Sequence, residues 1–322
     1  MTDLRYAERV RSWLYGSALP FWSTAGIDPS GAGAWEALDH QGQPLKARDK
    51  RLRVMPRQSY VFASAGGDYL PLAQDLFGFA MTHGIDPNTG FLAALLAPDG
   101  AIRHAPHDLY DLAFMLLAAS ALIEAGCDVD LAKLDEMLVR LKAPRGWLET
   151  ADGRLPRRQN PHMHLFEAAT ELFRVTQAAR YRAIAEECLA LFTEVFLQPG
   201  GQVFEFFNVD WSQAHDQAVE PGHMAEWIWL LHRYEGATGQ VAGVDKAQLW
   251  DQVLKGQDAS GMLLDSVMPL AETRRLWPQT EWLKARLVVG GPSDRSLDGL
   301  FSGYLETETP GGWYDKRQAS DG

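Results

Sequence analysis

Eleven stretches, at about residues 5–24, 57–65, 70–84, 106–125, 130–142, 160–178, 180–196, 221–237, 243–256, 274–289 and 293–308, carry apolar residues at spacings of three and four. That is the period of one buried helix face, and so dense a succession confines the chain to helix packed on helix. Between alternate helices lie short segments of one shape: an aromatic or Gly-aromatic start, a tight Asp/Gly turn, and a basic or polar lead-in. Trp35 to Gly42 leads to Arg57, Gly90-Phe91 with Asp99-Gly100 to Tyr110, Gly146-Trp147 with Asp152-Gly153 to Asn160 and His164, and Gly201 to Glu205 leads to His223. The repeat is of some 50 residues, a hairpin feeding a helix with polar residues at its start and then a blander helix. Such pairs close into a ring or stack into an open solenoid. Chemistry gathered at the starts of alternate helices favours the ring, with hairpins at one rim. The last unit opens at Gly311-Gly312-Trp313-Tyr314-Asp315 and turns at Asp321-Gly322, where the sequence stops. A twelfth helix is expected there and is missing from the count.

Composition narrows the function. Over 322 residues, 46% hydrophobic and 11% aromatic content supplies an ample core. A formal net charge of −12 repels nucleic acid and anionic membranes alike, so neither is expected as a partner. The dense basic run Arg48, Lys50, Arg51 and Arg53 is expected to be a solvated loop. No signal-type stretch opens the chain and no segment runs 18 apolar residues, which leads to an expectation of a cytosolic protein. Cys127 and Cys188 lie far apart and read as packing thiols. Gly290-Gly291 and Gly311-Gly312 lack the lysine and hydroxyl residue of a phosphate loop, and no Gly-x-Ser-x-Gly elbow occurs.

Two helix starts carry the candidate chemistry. Asn160-Pro161 reads as a cap and first helical residue, and Asn160, His164, Glu167 and Glu171 then climb one face at steps of four, three and four. Amide, imidazole and carboxylates in one stripe suit the binding of a polyhydroxylated ligand and proton movement on it, although a solvated face has the same spacing. His162 points elsewhere. A His-x-His metal site would need His162 and His164 on one face, which a strand provides and a helix does not. At Glu220-Pro221-Gly222-His223, the imidazole lies three residues before Glu226, a carboxylate able to orient it. The helix dipole favours a neutral ring here, hence a base at neutral pH. The alternative is a buried histidine hydrogen-bonded among Trp227 and Trp229. Arg57 suits a sugar hydroxyl or an enediolate oxygen, or else a surface ion pair. Tyr110 is a pocket or core residue. Trp277 could stack on a sugar ring, with Glu281 accepting a hydroxyl.

Met55-Pro56-Arg57, Asn160 to Ala168, Pro221 to Trp227 and Trp277-Pro278-Gln279-Thr280-Glu281, in this order over nearly the whole chain, resemble the N-acylglucosamine 2-epimerase superfamily, which includes mannose isomerases and cellobiose 2-epimerases. The resemblance implies an all-α (α/α)6 barrel, here one domain over residues 1–322 that is short by its last inner helix. It also implies chemistry at C1 and C2 of a small-molecule sugar without cofactor or metal. By motif position His223 is an acid/base histidine and Glu226 orients it or the sugar. His164 and Arg57 bind hydroxyls and stabilise the enediolate, Trp277, Tyr110 and Asn160 line the pocket, and Glu167 and Glu281 join them as sugar-binding groups. The second acid/base histidine of the family lies on the final inner helix, absent from this sequence. An open seam would expose apolar faces, which pairing into a homodimer would cover. The wording of the motifs favours an aldose-ketose isomerase of the mannose type, phosphorylated or not. A 2-epimerase of N-acylglucosamine or cellobiose type comes second. From another class come a glycoside hydrolase using two of Glu167, Glu226 and Glu281, and an inactive sugar-binding remnant.

Overall fold

Every helix expected from the periodicity forms in the computed structural model, which describes residues 2–104, 106–154, 156–290 and 294–319. In chain order, α1 (Thr2–Trp13) runs through a π turn into α2 (Leu19–Trp22), followed by β1 (Lys50–Arg51), α3 (Val54–Ala65), α4 (Leu70–His83), β2 (Leu95–Leu96) and β3 (Ile102–His104). Next come α5 (Leu109–Glu124), α6 (Ala132–Leu141), β4 (Arg157–Arg158), α7 (Gln159–Thr176), α8 (Ala179–Leu191) and β5 (Phe206–Phe207). The last are α9 (Pro221–Thr238), α10 (Lys246–Lys255), β6 (Thr273–Arg275), α11 (Leu276–Val289), α12 (Asp294–Leu300) and β7 (Lys316–Gln318). The expected turn at Asp321-Gly322 lies outside the described residues.

Boundaries shift where another partner claims the backbone. α5 starts at Leu109 because Asp108 caps it, its carboxylate accepting from the Tyr110 N–H at 3.0 Å. α11 starts at Leu276 because Thr273 to Arg275 pair with Lys316 to Gln318. Asn160, expected as a cap, is already helical, and its side-chain oxygen is buried with no hydrogen bond. The entry to α7 is fixed instead by the β4–β5 ladder and by the Gln159 N–H donating to the Glu205 carbonyl at 3.0 Å.

Turns recur at one place in the repeat. Among the described residues α2, α4, α6, α8, α10 and α12 are each followed by a turn with a left-handed glycine: Gly31, Gly90, Gly146, Gly201, Gly261 and Gly311, at φ from 69° to 86°. The first five are closed by backbone bridges such as Ile85 to Leu92 and Gln257 to Leu263. Only glycine adopts this conformation without strain. The turns at Gly31 and Gly261 were not foreseen.

Two compact units emerge from the packing. One comprises Met1–Pro20, Pro156–Asn160 and Leu189–Gly322, the other Phe21–Leu155 and Pro161–Cys188. In the first, α9 packs between α10 and α11, and α12 packs on α11 and α1. In the second, α3 packs on α4 and α5, and α5 on α6. Alternate helices bury themselves differently. α5 is mostly apolar and almost wholly buried, whereas α6 and α10 bury single stripes, Leu134, Met137, Leu138 and Leu141 in one and Leu249 and Val253 in the other. Each such leucine removed from water contributes about 1.5–3 kcal/mol. No helix among the described residues is long and apolar enough to cross a membrane.

The basic run is not the solvated loop expected. Lys50 is fully buried, its ammonium donating to Asp28 at 2.8 Å and to the Ala32 carbonyl at 2.7 Å, over the Trp35 ring. Arg51 pairs with Glu36 and Arg53 with Asp111. Partners distant in sequence supply what local composition could not reveal. Cys127 and Cys188 are both free, and burial pushes the Cys188 thiol up.

Candidate active site

In the first unit the chemistry gathers at the start of α9. Pro221 opens the helix and packs closely against Gly256, which has no side chain to block it. His223 is buried, and its Nδ1 lies 2.7 Å from Glu205 Oε1 and 3.9 Å from Glu220 Oε2. The carboxylate holding Nδ1 is therefore Glu205, from the segment after the Gly201 turn, while Glu226, the residue that helical spacing suggested, acts on the ring through its charge. Glu226 is itself buried on the same helix. Gln159 completes the group, its amide nitrogen donating to both Glu205 oxygens at 3.3 and 3.1 Å and its amide oxygen accepting from Trp227 Nε1 at 3.0 Å. Trp277, from α11, lies across His223 with ring centroids 4.9 Å apart. Gly222 makes that approach possible, since a Cβ there would stand 2.7 Å from the indole.

These neighbours overturn the expected charge state of His223. Burial pushes the ring toward neutrality, as the helix dipole does, but the charges of Glu205, Glu220 and Glu226 and the Glu205 hydrogen bond raise it to about 9. His223 is an imidazolium at neutral pH. Burial also raises Glu220, opposed by His223 and Arg275. Arg275 pairs with Glu220 at 3.5 Å and Asp265 at 3.2 Å.

In the second unit Arg57, Tyr110, His164 and Glu167 come together. Arg57 donates to the Tyr110 hydroxyl at 2.9 Å and lies over the Phe114 ring at 4.4 Å. Among the described residues it has no carboxylate partner, so the surface ion pair does not form. His164 packs edge-on to Tyr110 at 4.9 Å and against Phe114 at 4.7 Å, with its Nδ1 3.1 Å from Glu167 Oε2. Helical geometry separates the two histidines of His162-Met163-His164. His162 is fully buried, accepts from the Trp147 N–H at 3.2 Å and lies 4.0 Å from Glu149, so the pair does not converge on one ion.

Glu281, on α11 as Trp277 is, pairs with Lys284 at 2.6 Å. Sequence reasoning missed Gln159, Glu205, Glu220 and Phe114 as members of these groups. The only signal was the polar residue closing the hairpin before α9.

Paired helices that bury an imidazolium among carboxylates, together with an arginine, phenol, imidazole and carboxylate set, define a protein equipped for proton chemistry on a polar ligand. The family model for N-acylglucosamine 2-epimerase matches residues 33–321. A mannose-6-phosphate isomerase from Rhizobium meliloti (strain 1021) is 35% identical over 97% of this chain and 90% of its own. A cellobiose 2-epimerase from Bacteroides fragilis is 25% identical over 70% of this chain and 66% of its own. The structure of a cellobiose 2-epimerase from Spirochaeta thermophila shares the fold, with a TM-score of 0.84 at 22% identity over 99% of this chain and 89% of that one. The chain belongs to the N-acylglucosamine 2-epimerase family and has its (α/α) fold. It is a sugar-acting enzyme of the isomerase or epimerase type.

Proposed function

We propose that the protein transfers a proton at C2 of an open-chain aldose through an enediolate, with His223 as the acid/base group. The observation that carries this is the geometry of His223, buried at the start of α9 with Nδ1 2.7 Å from Glu205 and 3.9 Å from Glu220 and the Trp277 ring across it; those carboxylates, with the charge of Glu226, raise the ring to about 9. A charged ring is first a donor, suited to protonating the ring oxygen as the hemiacetal opens while a carboxylate of the set takes the C1 hydroxyl proton. The neutral imidazole left behind is then the base for the C2 hydrogen. In the second unit Arg57, hydrogen-bonded to the Tyr110 hydroxyl and without a carboxylate partner among the described residues, is a cation suited to an oxyanion or a sugar hydroxyl. Within the first unit Asn160 and Glu281 would hold hydroxyls and Trp277 would stack on the sugar; within the second, Tyr110, His164 and Glu167 offer hydroxyl-binding and proton-exchanging groups of their own. Glu226 would keep the site charged and orient the sugar. The scheme needs no cofactor. The many carboxylates around His223 favour a neutral sugar over a phosphorylated one.

Return of the proton to C2 from the other face gives the epimer, the outcome supported by the family's description and the cellobiose 2-epimerase relatives. Return to C1 gives the ketose, a second reading favoured by the 35% identical mannose-6-phosphate isomerase. Incubation of the protein in D2O with mannose, mannose 6-phosphate, glucose, N-acetylglucosamine and cellobiose, followed by NMR, tests both. A C2-deuterated epimer is expected, and a ketose would select the second reading. A folded protein that exchanges no proton on any of them, or that instead cleaves a glycoside, refutes the proposal.

A further inference from the structure

Four side chains of the first unit form one hydrogen-bonded line: Trp227, Gln159, Glu205 and His223. Its order is set by chemistry. An indole nitrogen only donates, so the Gln159 atom facing Trp227 Nε1 at 3.0 Å is the amide oxygen, and the NH2 group must face Glu205. Trp227 cannot itself swing, being fully buried and stacked on Phe192 at 3.9 Å and 17°. Gln159 is also fully buried, and its backbone N–H donates to the Glu205 carbonyl at 3.0 Å, so main chain and side chain grip the same residue. Both Glu205 oxygens receive the amide, and Oε1 also meets His223 Nδ1 at 2.7 Å.

We propose that Gln159, oriented by Trp227, is a positioning residue that fixes the Glu205 carboxylate so that His223 keeps its proton on Nδ1 and exchanges protons through Nε2. Gln159 touches no substrate; it acts through Glu205. The proposal rests on the reading of His223 as the acid/base group only for its kinetic consequence. The tautomer itself is a property of the free protein. An imidazole left to itself carries its neutral-state proton mostly on Nε2, which would turn the exchanging lone pair toward Glu205. An enzyme with the ring in the wrong tautomer is slow even when its geometry is intact.

The test uses Gln159→Met, which keeps the volume and removes both ends of the amide, and Trp227→Phe, which keeps the stack on Phe192 and removes only the indole donor. Protein with ¹⁵N-labelled histidine is titrated by NMR to read the His223 tautomer above its pKa. C2 exchange in D2O is followed on whichever sugar the wild type turns over. The expected result is an Nδ1–H tautomer in the wild type and a shift toward Nε2–H in both variants. The kcat for exchange is expected to fall about 10- to 100-fold, with KM changed less than two-fold, as for other groups that orient an active residue. A folded Gln159→Met protein that retains the Nδ1–H tautomer and exchanges within two-fold of wild type overturns the proposal; if that variant does not fold, the same result in Trp227→Phe overturns it. Absence of exchange in the wild type would sink the functional reading and leave the tautomer measurement to decide this one.

Discussion

Replacing Glu205 by Gln should change how the stability of this protein depends on pH, and by a calculable amount. The substitution keeps the shape of the side chain and leaves an oxygen to accept from Gln159, but removes the charge that contributes most to raising His223. In the folded wild type the ring titrates at about 9, against 6.5 for an ordinary imidazole. The folded state therefore binds the proton more tightly than the unfolded chain. That extra stability is fully present below pH 6.5 and is lost as the pH rises through 9. Its full size is about 3 kcal/mol. In the variant burial dominates again and most of this term disappears. Urea unfolding at 25 °C, followed from pH 6 to 10 in both proteins, isolates it because every other titrating group cancels to first order. The wild type should lose about 2–3 kcal/mol more than Glu205→Gln over that range. Equal losses would refute the assignment of Glu205 as the group that charges His223.

His107 should do the reverse on the acid side. Burial, opposed weakly by Asp108 and the Leu92 carbonyl, pushes this ring down to about 4, so it folds neutral and stability falls as the pH drops from 6.5 toward 4. Unfolding curves of His107→Gln should be flatter there by up to about 3 kcal/mol. Gly222→Ala would drive a Cβ to 2.7 Å from Trp277 and 2.9 Å from Pro278. A loss of about 1–3 kcal/mol is expected, with weaker sugar binding by titration calorimetry as the indole is displaced. Arg57→Lys keeps the charge but loses the planar fork that reaches Tyr110 and covers Phe114. Exchange at C2 should slow by about 10²-fold, measured by NMR in D2O, with urea stability within about 0.5 kcal/mol.

Helices were legible because their signal is local: three-and-four spacing declares a buried face wherever the partner lies. The turns at Gly90, Gly146, Gly201 and Gly311 were legible for the same reason, since an αL position selects glycine. The cluster of Arg57, Tyr110 and His164 was foreseen only as separate helix starts; its assembly through Phe114 depends on helix packing, which spacing does not encode. Glu205 was illegible as the partner of His223. It lies 18 residues earlier, on an irregular segment without periodicity, and its register is set by the β4–β5 ladder and by the Gln159 N–H donating to its carbonyl. The neutral resting ring inferred from the helix dipole gave way to a charged one for a like reason, because a dipole is weak beside three carboxylates in a buried site. Lys50 repeats the lesson, its basic neighbours suggesting a wet loop while Asp28 and the Ala32 carbonyl waited upstream.

Trp277 lying across His223 has an optical consequence. Protonated imidazole quenches indole emission by contact, and neutral imidazole does so much less. With ring centroids 4.9 Å apart, Trp277 is expected to be dim while His223 is charged and to brighten as it loses its proton. The difference in fluorescence between wild type and a Trp277→Phe protein therefore follows one proton on one ring, and a sugar entering between the two rings would register as a change in light before any bond is broken.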